Sequence, residues 1–310
     1  MPLVAGWRAF TLVSVFALPS ACAQWDTGSQ PLVHNSTNRG YRTFIPEQLR
    51  GKKEPLPVVL VLHGAGPFPD ILDHTHMNEI AAKEGFVAVY PQGTGDLWND
   101  GALQLLGPNA ANDVAYIRSV VEDVDRKVVK IDRRRLYAVG MSNGGMMTMR
   151  LGCEAADLFT GVAAVTASLP ESLVASCKPS RPISVLVMNG TEDPLVPYKG
   201  GQVRFLGVMR FGRVLSTDDT MAFWARHNGC GPAAAPVALP DRDPRDGTRA
   251  MQIDYPGCRN ASVRLLRLEG AGHAWPNGLQ FLPAFMIGSV TRDIDGGHAM
   301  WEFFKTAPAR

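Results

Sequence analysis

The stretch that decides the fold is Leu136-Tyr137-Ala138-Val139-Gly140-Met141-Ser142-Asn143-Gly144-Gly145. Its apolar start predicts a buried strand, and the residues from Met146 to Leu151 predict a buried helix directly afterwards. A serine hydroxyl is a weak nucleophile, and a sharp strand-to-helix turn presents it where a base can reach it. Gly140 and Gly144, two residues before and after the serine, are small enough to allow that turn. The pattern therefore predicts Ser142 as a catalytic nucleophile.

Short runs rich in Val, Leu and Ile recur along the chain with helical stretches between them, which is typical of a mostly parallel sheet covered on both faces. The predicted strands are residues 58–62, 86–90, 136–139, 162–165, 183–188 and 263–268. Helices are predicted over residues 77–84, 112–127, 146–153 and 217–227, with a further one near the end at 299–304. The expected fold is therefore an α/β-hydrolase fold, with a mostly parallel central sheet and helices on both faces.

A serine nucleophile needs a base, and the base needs an acid that holds it in the right tautomer. In the α/β-hydrolase order the acid and then the histidine follow the serine. Asp193 follows the strand that ends at Met188, with Glu192 as its rival, and the Asp-Pro turn favours Asp193. His273 lies between small residues just past the last strand, whereas His298 opens the terminal helix. The sequence predicts the triad Ser142, Asp193 and His273.

The negative charge that develops on the substrate oxygen needs main-chain N–H donors. One predicted donor is the amide of Asn143, at the start of the helix after the serine. The other lies in the glycine-rich turn His63-Gly64-Ala65-Gly66 after the first parallel strand, with Ala65 as the expected residue.

Four of the five cysteines lie in the body of the chain, at positions 153, 177, 230 and 258. An even number in an exported chain favours two disulfides, and the absence of a C-x-x-C pair argues against a metal site. Three pairings are possible. Proximity in sequence favours Cys153 with Cys177 and Cys230 with Cys258.

Residues 1–23 are expected to be a signal peptide, because Arg8 precedes an apolar stretch that ends at Pro19 and a small-residue cleavage site follows. Cys22 after Ser20-Ala21 resembles a bacterial lipoprotein site, but Pro19 stands where such a signal has leucine. We therefore expect a secreted or periplasmic protein, with lipid anchoring at Cys22 as the alternative. No run is long enough to span a bilayer.

Residues 24–310 are expected to form one catalytic domain, since the composition shows no break inside them. A net charge of +2, with positive and negative residues interspersed, gives no basic surface for nucleic acid. No metal-ligand pattern and no cofactor motif is recognisable. The expected partner is a small or oligomeric ester, and the expected cofactor is none.

Several motifs together resemble the extracellular polyhydroxybutyrate depolymerase and feruloyl esterase group of α/β hydrolases, related to carbohydrate esterase family 1. The resemblance runs through most of the mature chain. It rests on Leu62-His63-Gly64, Tyr90-Pro91-Gln92-Gly93, Trp98-Asn99, Asn112-Asp113-Val114, Gly140 to Met146, Asn189-Gly190-Thr191-Glu192-Asp193, Val196-Pro197-Tyr198 and Gly272-His273-Ala274-Trp275-Pro276.

The resemblance implies a serine esterase that uses the same triad, with Trp98 and Trp275 lining the substrate cleft or, as the alternative, packing in the core. The chain departs from the family at two places. The family usually has two acidic residues where this chain has Asn112-Asp113, and the turn after His63 differs at Ala65. Expected substrates are hydroxyalkanoate (polyhydroxybutyrate-type) or hydroxycinnamoyl (feruloyl) esters. An acyltransferase or a serine peptidase with the same triad is the alternative.

Overall fold

The computed structural model describes residues 29–34, 37–66, 71, 75–102, 110–205 and 209–308. The predicted signal peptide and Cys22 lie outside these residues. No helix within the described ranges is long and apolar enough to cross a membrane.

A ten-stranded mixed sheet forms the centre of the described chain and contains β1 (Ser29–His34), β2 (Thr37–Phe44), β3 (Leu56–Leu62), β4 (Val87–Pro91), β5 (Ile131–Met141), β6 (Gly161–Val165), β7 (Ser184–Gly190), β10 (Val237–Ala238), β11 (Arg249–Tyr255) and β12 (Val263–Glu269). Their order across the sheet is β1-β2-β4-β3-β5-β6-β7-β12-β11-β10. The strands from β4 to β12 in this order pair in parallel, and the pairs at both edges are antiparallel. A separate antiparallel hairpin contains β8 (Gly201–Phe205) and β9 (Met209–Val214).

Helices cover both faces of the sheet, as the sequence predicts. They are α1 (Met77–Glu84), α2 (Asp113–Lys127), α3 (Asn143–Glu154), α4 (Thr217–Asn228), α5 (Ala284–Ile287) and α6 (Gly296–Thr306). One apolar cluster joins α2, α3 and α4 to one face, and the other joins α1 and α6 to the opposite face. The central strands β3, β6 and β7 are buried along their whole length, because both of their faces are covered.

All six predicted strands and all five predicted helices are present, within a few residues of their predicted ends. The strands β1, β2, β8, β9, β10 and β11 were not predicted. Polar residues interrupt most of them: β2, for example, reads TNRGYRTF, without a continuous apolar run, and β10 has only two residues. Such strands lie at the sheet edges or in the hairpin, where one side needs no apolar cover.

Two disulfides join Cys153 to Cys177 and Cys230 to Cys258, which confirms the favoured pairing. The first joins the end of α3 to the segment before β7. The second joins the segment after α4 to the turn between β11 and β12. Each closes a loop of moderate length and restricts the unfolded chain.

Candidate active site

Ser142 lies on a strained turn between β5 and α3. Its φ is 54° and its ψ is −122°, a backbone conformation that residues other than glycine rarely adopt. Its main-chain N–H donates to the carbonyl of Val165 at 2.9 Å, which fixes the turn to the neighbouring strand. A Cβ on Gly140 would lie 2.3 Å from the carbonyl oxygen of Gly144. The glycine before the serine is therefore required by the turn, as expected.

Gly144 brings the start of α3 against the glycine-rich turn that follows β3. A Cβ at this position would lie 2.3 Å from the carbonyl oxygen of His63 and 2.5 Å from that of Leu62. On the other side of the gap, a Cβ on Gly64 would lie 3.6 Å from Cβ of Ser142. The glycine-rich turn thus lies next to the serine.

Asp193 and His273 form a buried pair in which Nδ1 of the imidazole lies 2.8 Å from Oδ2 of the carboxylate. The other carboxylate oxygen accepts from the main-chain N–H groups of Leu195 and Val196, at 2.8 and 2.9 Å. An ionised carboxylate can only accept, so the neutral imidazole carries its proton on Nδ1 and its lone pair on Nε2. This tautomer is the one that a general base for a serine requires.

Two glycines allow the loops of this pair to touch. A Cβ on Gly190 would lie 2.2 Å from the carbonyl oxygen of Ala271, and a Cβ on Gly272 would lie 2.1 Å from that of Ile287. The main-chain N–H of His273 donates to the Ile287 carbonyl at 2.5 Å, and that of Gly272 donates to Ser289 at 2.8 Å. Main-chain bonds therefore set the position of the histidine.

The three predicted triad residues follow β5, β7 and β12 at the same end of the sheet. Ser142 follows β5 and its proposed base follows β12, with β6 and β7 between them. Neighbouring strands lie about 4.8 Å apart, so these two strands are separated by roughly 14 Å. The rival Glu192 is exposed, and the rival His298 is exposed on α6.

The predicted oxyanion donors lie close to the serine. Asn143 is the first residue of α3, and the first N–H groups of a helix have no acceptor within the helix. The helix dipole adds a partial positive charge at this point. Ala65 is partly exposed in the turn beside the serine.

Trp98 and Trp275, expected either to line the substrate cleft or to pack in the core, are both buried, at 0% and 1% exposure, which favours the second alternative. Trp98 packs in one core cluster and donates from Nε1 to the carbonyl of His63 at 3.0 Å. Trp275 belongs to the cluster on the other face. The motifs that contain them indicate loops near the site, but indole rings of this size also fill the space beneath such loops.

The departure at Asn112 has a structural counterpart. Its side chain caps α2 by accepting from the N–H of Ala115 at 3.0 Å, while the neighbouring Asp113 pairs with Arg39 at 2.6 Å. Asp113 also accepts from the main-chain N–H of Asn99 at 2.6 Å. An amide at position 112 therefore keeps the helix cap, and the single carboxylate at position 113 holds the ion pair.

Sequence reasoning missed two polar side chains near the serine turn, His63 and Asp100, and the main-chain N–H of Gly93. The His63 imidazole accepts from the Gly93 N–H at 2.9 Å through Nε2 and contacts the carbonyl of Gly64 through Nδ1 at 2.7 Å. Asp100 is fully buried and accepts from the side chain of Asn143 at 2.7 Å. Their motifs were visible, but only the fold shows that they meet.

One group of side chains within the described ranges has spacing suited to a metal ion. The ligand atoms of Glu84, His298 and Glu302 lie within 4.8 Å of one another. Lys305 lies between the two carboxylates, at 3.2 Å from Glu84 and 2.6 Å from Glu302. Its ammonium group neutralises the negative charge of the carboxylates that would otherwise attract a metal cation.

Known proteins resemble this chain in sequence. The profile of the prolyl oligopeptidase family matches residues 73–170, which include the serine turn. The chain is 28% identical over 285 residues to NocK, a protein of Nocardia uniformis subsp. tsuyamanensis named as an esterase, covering 89% of this chain and 82% of that protein.

Two further relatives carry more specific names. Feruloyl esterase B of Piromyces equi is 28% identical over 211 residues, which are 64% of this chain and 35% of that one. The poly(3-hydroxybutyrate) depolymerase of Ralstonia pickettii is 27% identical over 178 residues, or 51% and 36% of the two chains. The match thus spans about a third of the length of each of these two relatives.

Among solved structures, the acetyl xylan esterase from Aspergillus awamori has a TM-score of 0.58 at 16% identity, covering 89% of this chain and 98% of that one. Similarity at this identity shows the fold. The chain thus has an α/β-hydrolase fold and is similar in sequence to carboxylic ester hydrolases, among them a feruloyl esterase and a poly(3-hydroxybutyrate) depolymerase.

Proposed function

We propose that this chain is an exported serine carboxylesterase that cleaves hydroxyalkanoate or hydroxycinnamoyl esters through an acyl-enzyme. Ser142 attacks the ester carbonyl while His273 takes its proton at Nε2, and Asp193 holds the imidazole in the required tautomer. The amides of Asn143 and Ala65 bind the oxyanion. His273 then returns the proton to the leaving alcohol, and water releases the acid by the same steps. The mechanism uses no metal and no cofactor.

The observation that carries this proposal is the buried 2.8 Å bond between Asp193 and His273 at the same end of the sheet as the strained Ser142. A buried imidazole held at Nδ1 by a carboxylate is the arrangement that a general base for a serine requires. The strained φ of Ser142 is a second supporting observation, because strained backbone conformations are common at catalytic sites.

The surface beside the histidine supports an uncharged substrate. Residues 270–291 contain no Asp, Glu, Lys or Arg. Within them Phe285 is 87% exposed and Leu279 46% exposed. Ile287 and Ser289 of this segment accept main-chain hydrogen bonds from His273 and Gly272. The apolar surface therefore adjoins the residue proposed as the general base. Such a surface suits an apolar or aromatic acyl group better than a charged one.

Export is part of the proposal. The expected signal peptide precedes a chain with two disulfides, and disulfides persist in oxidising compartments. We propose a secreted or periplasmic location and a single catalytic domain from residue 24 onward.

The test compares turnover of methyl ferulate and of a soluble 3-hydroxybutyrate trimer by the purified mature protein. Ser142→Ala is the blank, and Ser180→Ala, which removes an exposed hydroxyl, is the matched control. We expect Ser142→Ala to abolish turnover without unfolding the protein, Ser180→Ala to retain it, and a chelator to leave the rate unchanged. Turnover that survives in Ser142→Ala would refute the assignment.

The prolyl oligopeptidase match over residues 73–170 favours a second candidate, a serine peptidase. Amide analogues of the same acyl groups test it, because a peptidase must also protonate a poor amine leaving group. Cleavage of amides but not of esters would replace the esterase proposal. Transfer of the acyl group to added alcohol would indicate an acyltransferase.

A further inference from the structure

The segment that follows β4, residues 92–102, is called here the bridging segment. It makes three hydrogen bonds to the glycine-rich turn after β3. The Gly93 N–H donates to Nε2 of His63 at 2.9 Å, and Nε1 of Trp98 donates to the His63 carbonyl at 3.0 Å. In the third bond the N–H of Gly66 donates to the carbonyl of Asp96 at 3.0 Å. The turn with one proposed oxyanion donor is thus held on both sides of Ala65.

The same segment makes three hydrogen bonds to the first residue of α3. The Asn143 side chain accepts from the Trp98 N–H at 2.7 Å and donates to the Trp98 carbonyl at 3.0 Å. It also donates to Oδ2 of Asp100 at 2.7 Å. The other oxygen of Asp100 accepts from the N–H of Ala102 at 2.7 Å. All of these groups are buried, and the residue that carries the other proposed donor is therefore held through its own side chain.

The bridging segment is itself fixed from outside. The N–H of Asn99 donates to Asp113 at 2.6 Å, and its carbonyl accepts from Arg150 at 2.7 Å. Asp113 in turn pairs with Arg39 on β2 at 2.6 Å, with both side chains almost fully buried. The segment is therefore bonded to α2 and α3, and through Asp113 to β2. These bonds fix its position relative to the body of the domain.

Asp100 cannot be explained by charge stabilisation of the reaction. A carboxylate bonded to the first residue of α3 lies close to the place where the oxyanion would form, and two negative charges repel. The helix N-terminus favours this carboxylate, but it would favour the oxyanion equally. What the carboxylate provides is an acceptor for the second N–H of the Asn143 side-chain amide.

From these contacts we propose that the bridging segment sets the separation of the two oxyanion donors, with Asp100 and the side chain of Asn143 as positioning residues. The inference rests on the proposed function, since an oxyanion forms only if Ser142 attacks a carbonyl group. Donors act on the oxyanion only at about 2.7–3.1 Å, and a displacement of about 1 Å can cost roughly a hundredfold in rate. Loss of the Asn143 side-chain bonds allows such a displacement, although the main-chain N–H remains.

The variants form a cycle with a built-in rescue. Asn143→Asp places two carboxylates side by side and removes both side-chain donors. Asp100→Asn places two amides side by side. The double variant restores one N–H···O bond between positions 100 and 143 with its direction reversed. Asn228→Ala is the matched control, because that buried side chain also bonds to the N–H and the carbonyl of one residue, Ile183, at the opposite end of β7.

The readout is kcat for each titrated active site, obtained from the burst with an activated ester and from labelling of Ser142 by a fluorophosphonate. A merely structural defect lowers the number of titratable sites and leaves the rate at each site unchanged. We expect each single variant to lose at least about tenfold in kcat per site with KM nearly constant, the double variant to recover part of the loss, and Asn228→Ala to match the wild type.

The outcomes separate this inference from the function on which it rests. A wild-type protein that neither hydrolyses esters nor reacts with the fluorophosphonate overturns both. An active wild type whose single variants keep the wild-type rate per site overturns the positioning role alone. A double variant that is no better than the sum of the single losses also contradicts it, because the reversed bond should restore part of the geometry.

Discussion

The start of α3 lies very close to the glycine-rich turn in the proposed site, and Gly144→Ala tests this approach directly. The added Cβ would lie 2.3 Å from the His63 carbonyl oxygen and 2.5 Å from that of Leu62. Real Cβ contacts essentially never lie below 3.0 Å and ordinary contact begins at 3.4 Å, so one main-chain segment must move by 3.0 − 2.3 = 0.7 Å at least and by 3.4 − 2.3 = 1.1 Å for ordinary contact. Both neighbours are main-chain atoms, and no side-chain rotation can relieve the contact.

Two effects on stability oppose each other in this variant. Alanine in a helix is favoured over glycine by about 1 kcal/mol, whereas overpacking costs about 1–3 kcal/mol. The expected net loss in the free energy of unfolding is therefore at most about 2 kcal/mol. The effect on activity is larger, because a shift of about 1 Å between Ser142 and the oxyanion turn costs roughly a hundredfold in kcat.

The assay measures kcat/KM on a soluble ester and the free energy of unfolding by urea titration. Gly231→Ala is the control, since a Cβ there meets only the Pro256 carbonyl, at an ordinary 3.4 Å, and its activity should not change. A folded Gly144→Ala protein with wild-type kcat/KM would refute the argument that this glycine sets the distance between the nucleophile and the turn.

Two further predictions concern stability and substrate. Burial opposes ionisation of Asp123, but hydrogen bonds from Lys127 and Tyr41 outweigh it and lower the pKa of this carboxyl. Asp123→Asn should therefore lower the melting temperature at pH 7, and the gap should close as the pH falls below about 4 and through the lowered pKa; a pH-independent gap in circular-dichroism melts would contradict this. Phe285→Ser should raise KM for methyl ferulate about tenfold, the equivalent of about 1.4 kcal/mol, with kcat unchanged, whereas Val237→Ser, at another exposed apolar residue, should leave KM as it is. An unchanged KM in Phe285→Ser would show that the apolar surface does not touch the substrate.

Patterns that are local in sequence predicted the parallel strands, the helices and the serine turn. Runs such as Val58 to Leu62 are buried on both faces, so their apolar composition is nearly sufficient to identify them. The pair Asp193 and His273 was predicted because chain order and strand ends restrict where an acid and a base can lie. The two disulfides were predicted because each joins neighbours in sequence.

Contacts between distant segments could not be predicted in the same way. Asp100 and Asn143 are 43 residues apart, and neither spacing nor composition indicates that their side chains meet. For Trp98 and Trp275 the resemblance left cleft lining and core packing open, because the direction of a side chain in a loop depends on packing that the sequence does not encode locally. The edge strands were missed because half-exposed strands carry polar residues.

The loop that carries His273 is held by main-chain bonds to Ile287 and Ser289, and these bonds do not depend on which side chains lie between. Apart from Gln280, whose side chain bonds to Gly288 and Val290, the excursion over residues 278–286 can therefore change its sequence while the imidazole stays where Asp193 holds it. In evolutionary terms, substrate preference and catalytic geometry can vary separately at this place. For an engineer, the same excursion is a natural graft site, where a new recognition loop can be inserted between two fixed anchors without rebuilding the catalytic machinery.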